Sequence, residues 1–80
     1  MPLPEKPVSL RVQFGRRIKR LRLGAGLTQE ELAEKATISV DFLSLIERGL
    51  NSPSFENIEN LAQALGLRVA ELFETGDGDH

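Results

Sequence analysis

Eighty residues with a formal net charge of −2 allow one small domain, near the size at which a single core is only marginally sufficient. The absence of cysteine excludes disulfides and cysteine-ligated metals and fits a reducing cytosol. No run approaches the roughly 18 apolar residues of a membrane span, and Met1 to Pro7 lack the apolar core of a signal peptide, so the chain reads as a soluble cytoplasmic protein without a membrane partner. Charge is distributed unevenly. Residues 1–27 carry seven basic side chains against one acidic, residues 28–50 carry two against five, and residues 51–80 carry one against six. Global charge then describes solubility and steering, while contact with an anionic partner depends on which face carries the cations.

In chain order, Pro2, Pro4 and Pro7 oppose helix, so residues 1–8 form a flexible N-terminal arm. Ser9 can cap a first helix that runs to Leu23. In it Leu10, Phe14, Ile18 and Leu21 recur at the helical period, with Arg16, Arg17, Lys19 and Arg20 around them. Gly24 to Gly26 end that helix. Thr28 with Glu31 three residues later makes a capping box for a second helix over Gln29 to Ala36, where Leu32, Ala33 and Ala36 form the buried stripe. After a break at Thr37, Ser39 caps a third helix from Val40 to Arg48, with Leu43 and Ile46 inward and Gly49 as a left-handed stop. So short a helix leaves Val40, Asp41, Ser44 and Leu45 pointing largely outward. A fourth helix starts at Ser54 behind Pro53 and ends at Leu65 before Gly66, with Phe55, Ile58, Leu61, Ala62 and Leu65 on one face. Arg68 to Phe73 make a short fifth.

Residues 75–80 are a disordered polar tail, and His80 within it is solvated rather than a metal ligand. Residues 9–74 therefore hold the whole domain. Without repeat, hairpin or strand alternation, the fold class is all-α. Nothing suggests an enzyme. The only histidine is terminal, cysteine is missing and no Gly-rich phosphate loop follows a strand, so no catalytic residue, metal, cofactor or small-molecule ligand is expected.

Two short capped helices joined by a tight turn, from Thr28 to Gly49, have the layout of a helix-turn-helix. The run resembles that of the phage-repressor (Xre-like, Cro/C1-type) family of transcriptional regulators. Its most recognisable pieces are Leu27 to Ala33 and Ile46 to Gly49, and the likeness extends from about Phe14 to Phe73 through Asn51 to Ser54 and Leu65 to Leu67. The resemblance implies a compact five-helix, lambda-repressor-like DNA-binding domain with the motif on its second and third helices. It also implies a sequence-specific regulator of transcription that binds double-stranded DNA, as a homodimer on a near-palindromic operator, through a recognition helix in the major groove. A chain of this size resembles restriction-modification controllers, phage repressors and antitoxin-type autoregulators alike. The same helical fold serves elsewhere as a protein-interaction module, such as an antitoxin-type partner-binding protein, and salt-dependent DNA affinity separates the two.

Site roles follow from the resemblance position by position. Val40, Asp41, Ser44 and Leu45 match the base-facing positions. Val40 or Leu45 can pack on a thymine methyl, Asp41 can accept from a cytosine amino group, and Ser44 can bond several bases or a phosphate. Asp41 can equally do no more than stabilise the positive end of its own helix. Members of the family often carry glutamine, arginine or lysine at these positions. Gln29 matches the glutamine that, with free backbone N–H groups, clamps a phosphate. Asn51 matches a loop position reaching the backbone or a base edge, with Arg48 and Ser52 beside it and Arg16 or Arg17 able to reach a phosphate from the first helix. Arg22 and Glu47 match the salt bridge that ties the first helix to the end of the recognition helix. Thr37 stands where the family turn usually has glycine, so a left-handed backbone there is strained. Leu67, Val69, Leu72 and Phe73 are too many apolar side chains for a short terminal helix to bury against its own domain, which makes them the expected dimer interface.

Overall fold

Each of the four longer helices begins on a hydroxyl side chain. The computed structural model describes residues 8–74. There Ser9, Thr28, Ser39 and Ser54 accept from the backbone N–H groups of Val12, Glu31, Phe42 and Asn57. These caps satisfy donors that a helix start leaves without intrahelical partners. They open α1 (Leu10–Gly24), α2 (Gln29–Ala36), α3 (Val40–Glu47) and α4 (Phe55–Leu65); α5 (Val69–Leu72) follows. No strand occurs among the described residues. The arm and tail expected from the sequence, His80 included, fall outside the described residues except for Val8.

The helix ends share one device as well. Backbone N–H groups of Leu27, Ile38, Leu50 and Leu67 reach back to the carbonyls of Arg22, Ala33, Leu45 and Ala62 at 2.9–3.1 Å. Each closure turns on the residue just before, which adopts positive φ: Gly26, Thr37, Gly49 and Gly66, at 74°, 60°, 74° and 71°. Three of the four are glycine, which carries no Cβ to oppose this backbone. Thr37 is the exception, and a left-handed L-residue costs about 1–2 kcal/mol.

Against the sequence expectations the elements shift by a residue at their ends. Arg48 caps α3 rather than belonging to it, and Arg68 and Phe73 flank α5. α3 packs on α1 and α2, α2 also on α4, and α5 on α4 and α1. Between them lie Phe14, Ile18, Leu32, Ala33, Ala36, Leu43, Ile46, Leu61, Ala62 and Leu72. Fully burying each of the large aliphatic members contributes about 1.5–3 kcal/mol. Two residues leave the stripe that the helical period assigned them. Leu10 is 62% and Phe55 88% exposed. Each is the first residue of its helix.

Leu72 corrects the expected dimer surface. It is fully buried in the monomer's own core, and Leu67 packs half-buried against that core. Val69 and Phe73 remain exposed, although the Phe73 ring lies 5.0 Å from that of Phe14. α5 therefore closes the domain with one side chain and presents others outward.

Candidate nucleic-acid interface

The expected recognition helix, α3, is anchored from beneath by Leu43 and Ile46, both fully buried. Helical geometry then turns Val40 and Asp41 to solvent and leaves Ser44 and Leu45 half-buried at the edges of the same face. The front of α3 is thus short and weakly polar. Asp41 lies in the first turn, where a carboxylate favours the positive end of the helix whether or not it meets a base.

The C-terminal turn of α3 is fixed by α1. Gly15, buried in the middle of α1, stands so close to α3 that a Cβ would lie 2.1 Å from the carbonyl oxygen of Ile46. No side chain fits there. This approach brings Glu47 beside Arg22, and the two form a bidentate pair: Nε to Oε2 at 2.7 Å and Nη2 to Oε1 at 3.0 Å. Both residues are only 7% exposed. Nη1 of Arg22 donates to the carbonyl of Leu27 at 2.9 Å, so one guanidinium joins α1, α3 and the approach to α2. The bond to Glu47 raises the Arg22 pKa despite the opposing effect of burial.

At the start of α2 the capping box is complete, with Thr28 N–H donating to Glu31 Oε1 at 2.8 Å and Glu31 N–H to Thr28 Oγ1 at 3.1 Å. The backbone N–H groups of Gln29 and Glu30 then stand at the helix mouth with no intrahelical acceptor. Gln29 is half-buried, and its Nε2 donates to Glu47 Oε1 at 3.0 Å. The glutamine assigned to phosphate is therefore bonded to the recognition helix.

The remaining sequence-assigned positions divide. Asn51 and Ser52 are exposed in the loop after α3, where Asn51 Oδ1 accepts from the Ser52 N–H. Arg48 is exposed and folds back along its own helix, its Nε 3.4 Å from the Ser44 carbonyl. Arg16 is exposed and lines a shallow groove with Lys19, Arg20, Leu23 and Glu47. Arg17 is turned away from the motif. Its Nε donates to the Glu71 carbonyl at 3.1 Å and its Nη2 lies 3.9 Å from Glu74, so it ties α1 to α5. Missing from the sequence assignment was Arg11, whose Nε donates to the Gly49 carbonyl at 2.8 Å and secures the turn that leads into the Asn51 loop. Gly15 was missed too, although a lone glycine inside a helical pattern is a signal of close packing.

A family model described as a helix-turn-helix domain matches residues 13–74. The immunity repressor protein of Bacillus phage phi105 is 45% identical over 58 residues, covering 72% of this chain and 40% of that protein. Control protein C.BamHI of Bacillus amyloliquefaciens is 33% identical over 67 residues, 82% of this chain and 83% of its own length. Among solved structures, the restriction-modification controller protein C.AhdI from Aeromonas hydrophila superposes with a TM-score of 0.76 at 40% identity, covering 78% of this chain and 94% of that one. The chain thus spans two-fifths of the phage repressor but most of each controller. With the motif formed by α2 and α3 and the family model spanning nearly all of the described domain, the chain belongs to the helix-turn-helix domain family.

Proposed function

We propose that this protein is a cytoplasmic, sequence-specific regulator of transcription that binds double-stranded DNA with α3 in the major groove. The observation that carries this reading is the arrangement of α3 itself. Its buried side chains and its clamped C-terminal turn fix its direction, while its outward face is left with Val40, Asp41, Ser44 and Leu45 unburdened by structural hydrogen bonds from their side chains. Phosphate contacts come from Gln29 with the free N–H groups at the start of α2, from Asn51 and Ser52 in the following loop, and from Arg48 and Arg16. Arg17 is not included, because α5 holds it. A net negative charge is no obstacle, since the acidic side chains are concentrated after residue 27 and the basic ones before it.

A small recognition face supports a dimer. Few base contacts per subunit make one half-site a weak target, and a twofold assembly doubles the contacts while setting two recognition helices about 34 Å apart. Val69 and Phe73, exposed on and beside α5, with Leu67 at its start, are the side chains we assign to that interface. The names of the relatives, repressor and controller, fit a regulator of transcription.

Selection of bound sites from random duplex DNA tests the proposal. Enrichment of a near-palindrome with half-sites about one helical turn apart, and affinity falling steeply between about 50 and 200 mM salt, is the expected result. No enrichment and no salt dependence would overturn it in favour of a protein-interaction role.

A further inference from the structure

Glu47 occupies the last turn of α3 and is not itself one of the expected DNA contacts, yet its carboxylate accepts from the side chain of Gln29 at the start of α2. We infer that Glu47 is a positioning residue for Gln29, setting its amide for the DNA backbone before DNA arrives. The inference rests on the phosphate role proposed above for Gln29 and adds how that role is prepared.

The chemistry leaves one orientation. A carboxylate only accepts hydrogen bonds, so the Gln29 amide must turn its NH2 group, not its carbonyl, toward Glu47. One of the two Nε2 hydrogens is used at 3.0 Å; the other remains for a second acceptor. The anchor does not swing. Oε1 of Glu47 takes both the Gln29 amide and Nη2 of Arg22, while Oε2 takes Nε of Arg22 at 2.7 Å. Arg22 is in turn held by the carbonyl of Leu27, two residues before Gln29. A free glutamine loses several rotamers when it is immobilised on a ligand, and one already fixed loses fewer. Arg22 also neutralises a carboxylate that would otherwise repel the phosphate next to it.

This circuit has a consequence for docking. Gln29 belongs to α2 and Glu47 to α3, so the phosphate clamp and the recognition helix move as one piece. Any backbone register accepted by Gln29 fixes the depth at which α3 enters the groove.

The test compares Gln29→Ala in two backgrounds, the wild type and Arg22→Met/Glu47→Leu, in which two apolar side chains of similar size replace the pair and keep the domain folded. Affinity is measured for a duplex carrying the selected site. In the wild type Gln29→Ala should weaken binding about tenfold per half-site, the scale of one charge-assisted hydrogen bond. In the double-variant background the same change should cost about twofold or less, because an unfixed glutamine contributes little. Equal losses in both backgrounds would overturn the inference while leaving the phosphate role intact. No loss in the wild type would remove the phosphate role and the inference together. A second readout needs no variant: in the DNA-free wild type, the Gln29 side-chain NH2 resonances should show restricted motion, unlike those of the exposed Gln63. An equally mobile Gln29 amide would also overturn it.

Discussion

The two ends of the recognition helix are held by different means. At its C-terminal end α3 meets α1 through a glycine contact that admits no side chain, a buried bidentate ion pair and the Arg11 bond to the Gly49 carbonyl. Its N-terminal end hangs on a turn, where Thr37 is held in a left-handed backbone and Ser39 caps the first turn. The first end is determined by tertiary packing and the second by local chain geometry. Such an asymmetry suits a reader of DNA. In the function proposed above, the end away from the first turn would set the angle of approach, and the exposed end could vary its side chains without disturbing how the helix is mounted.

Breaking the strong end should have the largest effect. Glu47→Ala leaves Arg22 buried without its partner and is expected to lower stability by about 3–5 kcal/mol, measured by urea unfolding, whereas the combined apolar replacement of both partners should restore most of that loss. A small loss for the single variant would mean that the pair does not mount α3.

Next comes Gly15→Ala. Alanine is the better helix former by about 1 kcal/mol, and on an isolated helix it would stabilise. Here its methyl group meets the Ile46 carbonyl, so a net loss of about 1–3 kcal/mol is expected. Thermal melting decides the sign, and a rise in Tm would show that the α1–α3 contact yields easily.

The weak end should respond in the opposite direction. Thr37→Gly removes a left-handed strain of about 1–2 kcal/mol at an entropic cost of about 0.5–1 kcal/mol in the unfolded chain. A net gain of up to about 1 kcal/mol, or a few degrees in Tm, is expected with DNA affinity unchanged. A fall in affinity would reveal that the turn tunes α3 after all.

The smallest effect concerns pH. Glu31 is held below the usual carboxylate range chiefly by the Thr28 backbone N–H, and Glu71 likewise by that of Arg68. A carboxyl with a folded pKa below its unfolded one contributes stability that is complete above the ordinary carboxylate range and disappears as pH falls through the folded value. Stability should therefore decline on acidification below about pH 4.5, and Glu31→Gln, which keeps an acceptor for the cap, should make that decline shallower. An unchanged acid profile would show that the α2 cap does not depend on charge.

Much of the helical layout was legible in the residues because its causes are local. Hydroxyl caps and glycine stops lie next to the backbone groups they satisfy, and α2 begins and ends where Thr28 and Thr37 place it. The alternation of buried and exposed positions also identified Leu43 and Ile46 as the inward pair of α3. Leu10 and Phe55 show where that logic stops: periodicity assigns a face, but only the packing of the helices decides which positions on it are covered. Arg17 and Leu72 show the same limit at α5. Either could have served an outward role until the packing of α5 on α1 and α4 took them up.

What the sequence determined by itself is the set of helices, the motif they compose and the Arg22–Glu47 pairing implied by its resemblance to a known family. Tertiary structure alone decided that Gly15 lets α3 approach α1, that Arg11 secures the following loop, and that Gln29 is bonded to Glu47. The physical reason is range. Caps and turns are settled among residues within a few positions of one another, whereas these contacts join residues 18 to 38 apart, and such neighbours exist only once the helices have packed.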